Sequence, residues 1–130
     1  METQKFSPLS TSTCRKLKEA GFPQNTLWSK FVNRQEALLA LTKSTELGRK
    51  WMERYACPTF EEIWAELPKE FTNSSGWTCR LAMFDTALFY QYDSTGNGRY
   101  SFEYRQSLIN QSITWAAAEM YLTLKSQGII

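Results

Sequence analysis

From Trp77 to Arg105 the apolar residues recur every second position, and the connections between the alternating runs are very short. That combination constrains the fold more than any other feature of the chain. Three runs show it: "WTCRLAMF" (77–84), "ALFYQY" (87–92) and "RYSFEYR" (99–105). A period of two means strands, and links this short permit only antiparallel neighbours. Pairing Phe84 with Ala87 leaves Asp85-Thr86 as the tip of the first hairpin. Pairing Tyr90 with Tyr100 leaves a three-residue loop, Ser94-Thr95-Gly96, in the second, with glycine where a left-handed residue is needed. In that register one face carries Trp77, Cys79, Leu81, Met83, Leu88, Tyr90, Tyr92, Tyr100, Phe102 and Tyr104. Such a face must be covered by amphipathic helices.

The rest of the chain reads as helix. "STSTCRKLKEAGFP" (10–23) has Ser and Thr oxygens to cap its start, Gly21 beyond its end and Pro23 to stop it. Trp28, Phe31 and Val32 form a small apolar cluster. Residues 33–58 are expected to be helical, with Asn33 and Glu36 spaced as a capping box and Leu38, Leu41, Leu47, Trp51 and Tyr55 at helical intervals. The polar "TKST" (42–45) divides that stretch into two. "PTFEEIWAELPKEF" (58–71) opens with Thr59 as N-cap and Glu62 three residues on. Its apolar stripe is Phe60, Ile63, Trp64 and Leu67, and Pro68 terminates it. The final segment, "SITWAAAEMYLTLKSQG" (112–128), is apolar on two sides. Ile113, Ala117, Met120 and Leu124 lie on one face, Trp115, Ala118 and Leu122 on the other. A helix of that kind is buried on most of its surface. The expectation is therefore an α+β domain of two layers spanning 1–130. Its order is two or three helices, the 59–67 helix, a three-stranded meander and the last helix. Residues 1–9 are expected to fray, and 25–56 to form a variable helical insertion.

"DSTGNG" (93–98) resembles the front of a calcium loop. Counted from Asp93, Asn97 and Gly98 occupy the fifth and sixth positions, but Thr95 stands at the third and Tyr104 at the twelfth, where the motif needs an oxygen-rich residue and Glu. The flanks alternate as strands, so the segment is a hairpin turn.

Composition removes several classes of chemistry. The chain contains no histidine, which excludes His-dependent catalytic triads and zinc sites built on Cys and His. Cys14, Cys57 and Cys79 are widely spaced and odd in number, which fits a reducing, cytoplasmic compartment. No run approaches the length of a membrane span, and "METQKFSPLSTST" has no apolar leader core, so neither membrane insertion nor secretion is expected. Glu61, Glu62, Glu66 and Glu70 fit a capped, solvated helix face better than a carboxylate pair. Phosphate-loop, dinucleotide and nucleophile-elbow motifs are missing. No cofactor, metal or enzymatic activity is expected.

The uncovered sheet face is the candidate interaction site. It carries Arg80, Phe84, Phe89, Gln91, Arg99, Ser101, Glu103 and Arg105. Arginines interleaved with aromatic rings suit phosphate contact and base stacking. The plainer reading is a solvated face with Arg–Glu pairs across strands. Charge is uneven: residues 1–57 hold ten Lys/Arg against five Asp/Glu, and residues 58–130 hold five against eight. Such a basic half is suited to an acidic partner.

"LKEAGFPQ" (17–24), "PTFEEIWAELPKEF", three short strands and "SITWAAAEMYLTLKSQGII" together resemble a group of small uncharacterised proteins encoded by bacterial prophages and mobile elements of gut bacteria. The likeness covers about residues 15–24 and 57–130, and residues 25–56 depart from it. It implies no activity and no catalytic residues. With it, the expected function is that of a non-enzymatic accessory protein of a phage or mobile element. It would bind a macromolecule, for instance to inhibit a host defence component. The alternative is a small nucleic-acid-binding module using Arg80, Phe84, Phe89, Gln91, Arg99 and Arg105. A protein partner and a monomeric chain are expected, with a homodimer through the last helix as the other arrangement.

Overall fold

A computed structural model describes residues 8–33, 35, 38–43 and 52–130. Among them the chain divides after Ile63 into two compact units. Antiparallel sheets and helices occur in both, so the class is α+β.

The first unit opens with α1 (Thr11–Glu19). The Ser10 hydroxyl accepts from the Thr13 N–H at 3.2 Å and caps its start. At its other end Phe22 N donates to Leu17 O and Gly21 N to Lys18 O, with Gly21 at φ +90°. That is a Schellman closure, sealed by two buried side chains, Leu17 and Phe22. Cys14 and Leu17 form the buried face, as the spacing predicts.

The described residues of the stretch expected to be helical build a three-stranded sheet instead. Strands β1 (Trp28–Val32), β2 (Leu38–Lys43) and β3 (Glu53–Ala56) lie in the order β2-β1-β3, all antiparallel. The helical insertion at 25–56 is thus overturned, and the reason is positional. β1 is central, and Ser29, Lys30, Phe31 and Val32 are all buried, so the strand shows no alternation. β2 is an edge strand whose Leu38 and Leu39 are exposed, so its leucines follow no period of two either. Asn33 does not cap a helix. Its side-chain oxygen accepts from Gln35 N at 2.9 Å in the turn between β1 and β2. Glu36, Leu47 and Trp51 lie outside the described residues. Gln24 ties the unit together: its carbonyl accepts from Arg54, and its side-chain oxygen accepts from Ala56 N at 2.8 Å.

α2 (Phe60–Glu66) begins with the expected capping box. Thr59 N donates to Glu62 Oε1 at 2.8 Å, and Glu62 N donates to Thr59 Oγ1 at 3.3 Å.

The second unit holds a four-stranded meander, β4 (Glu70–Thr72), β5 (Thr78–Phe84), β6 (Ala87–Tyr92) and β7 (Ser101–Ser107), followed by α3 (Ile113–Ser126). β4 adds a fourth, edge strand to the three expected. Its turn into β5 is built on Asn73, whose side-chain oxygen accepts from Ser75 N and Trp77 N. The first hairpin has the predicted register, with Phe84 opposite Ala87, Met83 opposite Leu88 and Leu81 opposite Tyr90.

The second hairpin does not. Tyr90 faces Glu103 rather than Tyr100, and Tyr92 faces Ser101. The register is offset by an odd number of residues, so β7 turns its other side to each face. A bulge opposite Phe89 then restores the original parity, with Leu88 facing Gln106, and Tyr104 in the bulge takes φ +56°. Of the ten residues expected on a covered face, Cys79, Leu88 and Tyr90 are buried, whereas Trp77, Met83, Tyr100 and Phe102 are exposed. Tyr90 is the centre of this unit: its ring meets Phe71 edge-on at 4.8 Å, and its hydroxyl donates to Pro68 O at 2.7 Å.

α3 runs against β7. Ser112 caps it by accepting from Trp115 N at 3.0 Å, and Gly128 closes it in a second Schellman turn. Ala116, Ala117, Ala118, Met120, Tyr121 and Leu124 are buried, while Trp115 and Leu122 are only half-buried. No described helix is long and apolar enough to cross a membrane.

Candidate functional site: an aromatic row and its adjoining cleft

The candidate face is built by the register of the meander. Arg80 lies opposite Gln91, Ala82 opposite Phe89 and Phe84 opposite Ala87. Those side chains therefore share one face of the sheet, and Gln91 in turn lies opposite Phe102. The structure brings together Arg80, Phe84, Phe89 and Gln91 as the alternation predicts. It adds Phe102, which the expected register had placed on the other side. Ser101 and Glu103 move away to the opposite face with the same offset. Arg105, beyond the bulge, returns to the candidate face two residues before Ser107, which pairs with Ala87. Arg99 is not on a strand; it sits exposed in the loop between β6 and β7, where its N–H donates to Asn97 Oδ1.

Three phenylalanines form a row across three strands. Phe89 lies at 5.2 Å from Phe84 and 4.7 Å from Phe102, with the planes inclined at 76° and 65°. Both contacts are edge-to-face, the arrangement favoured by the ring quadrupole. Phe89 is 4% exposed, but Phe84 and Phe102 are 62% and 55% exposed. Two large rings thus stand in water on either side of a buried one.

Next to the row is an open cleft of about 370 Å³ lined by Gly76, Trp77, Thr78, Arg80, Gln91, Tyr92, Asp93 and Tyr100. Arg80 and Gln91 belong to both the cleft and the aromatic face. The Arg80 Nε is 3.4 Å from Glu70 Oε2 across β4 and β5, a solvent-exposed pair. Trp77 and Tyr100, expected in the core, are half exposed at the cleft walls.

The Asp93 carboxylate organises the loop. Oδ1 accepts from Thr95 N at 3.1 Å, Gly96 N at 2.8 Å and Thr95 Oγ1 at 3.1 Å, while Oδ2 accepts from Gly98 N at 2.8 Å. The Gly98 N–H, then those of Gly96 and Thr95, hold its pKa below the usual carboxylate value. Gly96 and Gly98 have φ of +74° and +84°, which lets successive N–H groups turn toward one carboxylate. The loop therefore runs from 93 to 100 rather than closing in three residues. A signal for this was in the sequence: an Asp followed by two glycines, at 96 and 98, is an acceptor facing a flexible run of donors. Among the described residues no cluster of three or more Cys, Asp or Glu is placed to hold a metal ion.

No protein-family model matches the chain, and comparison with curated proteins and with solved structures gives no match.

Proposed function

We propose that this chain is a non-enzymatic interaction protein that binds another protein through the Phe84–Phe89–Phe102 row, in the cytoplasm, as an accessory factor of a phage or mobile element. The observation that carries the reading is the exposure of two phenylalanines that flank a buried one on a single sheet face. Each forgoes roughly half of the about 1.5–3 kcal/mol that full burial of such a side chain is worth, a cost that burial against a partner removes. Exposed aromatic and arginine side chains are also the residue types that dominate binding energy at protein interfaces. Arg80 and Arg105 at the rim suit an apolar partner surface bordered by carboxylates.

Charge favours a protein over a nucleic acid. Residues 64–130 hold five Lys/Arg against six Asp/Glu, which supplies no basic field for a phosphate backbone. The three rings also pack edge against face on one another, rather than forming the flat platform on which bases stack.

The test compares the wild type with Phe84→Ser/Phe102→Ser. Proteins captured from a bacterial host by the wild type and lost with the double variant are purified and titrated against both forms by calorimetry. The expected result is a complex with a negative heat-capacity change that survives high salt and is lost in the double variant. Equal binding by both forms overturns the assignment. Binding of single-stranded oligonucleotides that falls steeply with salt replaces it with the nucleic-acid reading. A wild-type dimer in light scattering that the double variant converts to a monomer assigns the face to self-association.

A further inference from the structure

The aromatic row leaves the adjoining cleft unused. The cleft lies where β5 begins, β6 ends and β7 begins, and it encloses about 370 Å³. Small-molecule sites start at about 300 Å³, so it has room for a small cyclic ligand. Its walls are two turns that carry their own hydrogen bonds. On one side Asn73 grips Trp77 twice: its side-chain oxygen accepts from Trp77 N at 2.9 Å, and its N–H donates to Trp77 O at 2.9 Å. On the other, the Asp93 carboxylate gathers the N–H groups of the 93–100 loop, whose last residue, Tyr100, lines the cleft. The shape is therefore set before a ligand arrives, which removes part of the ordering cost of binding.

The residues that line it are of two kinds. Three are aromatic: Trp77 is 40% and Tyr100 55% exposed, and Tyr92 is half-buried beside them. The others are polar. Arg80 and Gln91 lie opposite each other on β5 and β6, so a guanidinium and an amide stand side by side. Both groups are planar and carry several N–H donors, and the amide adds an acceptor. Among the described residues, the hydroxyls of Thr78, Tyr92 and Tyr100, the Trp77 indole N–H and the Gln91 amide bond to no protein group. Their hydrogen-bonding capacity is available to whatever enters.

Charge selects the class of ligand. Arg80 is compensated by Glu70, whose Oε2 is 3.4 Å from its Nε. The Asp93 carboxylate is compensated by its four hydrogen bonds from the loop. A phosphate would meet one cation and two carboxylates, and a quaternary ammonium ion would meet the Arg80 guanidinium beside the rings. At a solvent-exposed site each such opposition costs about 1 kcal/mol. A neutral ligand meets none of it. To use every group present, it must offer an apolar face to the rings and, around that face, groups that both donate and accept. A pyranose ring has this form, with C–H bonds on its faces and hydroxyls at its rim.

We propose that the cleft is a carbohydrate-binding site that takes one neutral pyranose unit, stacked on Trp77 and Tyr100 and oriented by hydrogen bonds from Arg80 and Gln91. The aromatic rings supply the contact area, and the two planar groups read the positions of neighbouring hydroxyls. The cleft is open to solvent and buries only one side of a ring, so the affinity for a single unit is in the millimolar range. The site stands apart from the protein-binding row: Phe84 lies at the far end of β5 from Thr78. It does not depend on a protein partner.

The experiment titrates the isotopically labelled full-length protein, followed by amide-proton NMR, with the methyl pyranosides of glucose, galactose and mannose and with N-acetylglucosamine. Adenosine, adenosine monophosphate and choline are the comparison probes. The expected result is a saturable shift of the Trp77 indole N–H and of the Thr78, Arg80, Gln91 and Tyr92 amides with at least one sugar, and a weaker response there to the other three probes. Trp77→Ala and Gln91→Ala should each weaken that sugar by about tenfold or more while the α3 signals keep their positions. Phe84→Ser should leave the titration unchanged. No saturable shift at these positions with any of the four sugars overturns the proposal, whatever the variants do. So does a stronger response to adenosine, its monophosphate or choline, which assigns the cleft to a base, an anion or a cation. Sugar binding that survives Gln91→Ala, or is lost in Phe84→Ser, overturns its placement in the cleft.

Discussion

Replacing Tyr90 by Phe isolates one hydrogen bond at the centre of the second unit. Tyr90 is fully buried, its ring rests edge-on against Phe71, and its hydroxyl donates to Pro68 O at 2.7 Å. Phenylalanine keeps the ring and its contacts, so the packing contribution survives. What goes is the hydrogen bond, together with the partner of the Pro68 carbonyl. A buried hydrogen bond contributes about 1 kcal/mol net, and an orphaned acceptor costs about 1–3 kcal/mol. Pro68 is half-buried, so water replaces part of the loss. The expected destabilisation is about 1–2 kcal/mol, against about 3–5 kcal/mol for Tyr90→Ala, which removes the ring as well. Urea denaturation followed by circular dichroism measures this as a lowered midpoint at constant slope. The alkaline limb gives a second readout. Burial, then the charge of Cys79, raises the Tyr90 phenol above its ordinary pKa. Folding therefore favours the protonated phenol. Its contribution is fully present below the unfolded value of about 10 and is lost as pH rises from there toward the folded value. Tyr90→Phe should shrink that alkaline loss, leaving the part due to Cys14, Cys79, Tyr104 and Tyr121, which are shifted in the same direction. A Tyr90→Phe protein within about 0.3 kcal/mol of wild type, with an unchanged alkaline limb, refutes the reasoning.

Three further outcomes concern the 93–100 loop. Millimolar calcium should leave the melting temperature unchanged, because four hydrogen bonds already occupy the Asp93 carboxylate; a rise of several degrees would show a cation site. The folded Asp93 pKa is lowered, so its contribution is present above the unfolded value of about 4 and disappears as pH falls through the lower folded value. Asp93→Asn should flatten that part of an acid-unfolding curve, and an unaltered curve would mean the loop does not depend on the charge. Gly96→Val should destabilise by on the order of 1 kcal/mol or more, since a β-branched residue resists positive φ even with open space around it; thermal melts that match wild type would remove the strain argument.

Signals confined to a few adjacent residues were legible in the chain itself. Thr59 and Glu62 form their capping box, Ser112 caps α3, and Gly21 and Gly128 close their helices, because each device needs only the backbone of its own turn. The Asp85-Thr86 tip is equally local, and it set the first register correctly. Arg80, Phe84, Phe89 and Gln91 followed from that register, so most of the candidate face was readable by counting in twos.

Tertiary structure decided what counting left open. β1 is covered on both sides and β2 stands at an edge, so neither carries the alternation that marks a half-buried strand, and Leu38 and Leu41 imitate a helical interval by coincidence. The placement of Phe102 depended on the 93–100 loop, where the Asp93 carboxylate gathers the N–H groups of Thr95, Gly96 and Gly98 and shifts the register by an odd step. One step turns every side chain of a strand over. That is why Phe102 joins the exposed aromatic row and Glu103 leaves it. The meeting of Cys14 and Lys30 at the Leu9 carbonyl has a similar origin: residues far apart in the chain become neighbours only when α1 and β1 pack into one unit. Local hydrogen bonds act within a turn and are written in adjacent residues, whereas register and burial are properties of partners that no short stretch contains.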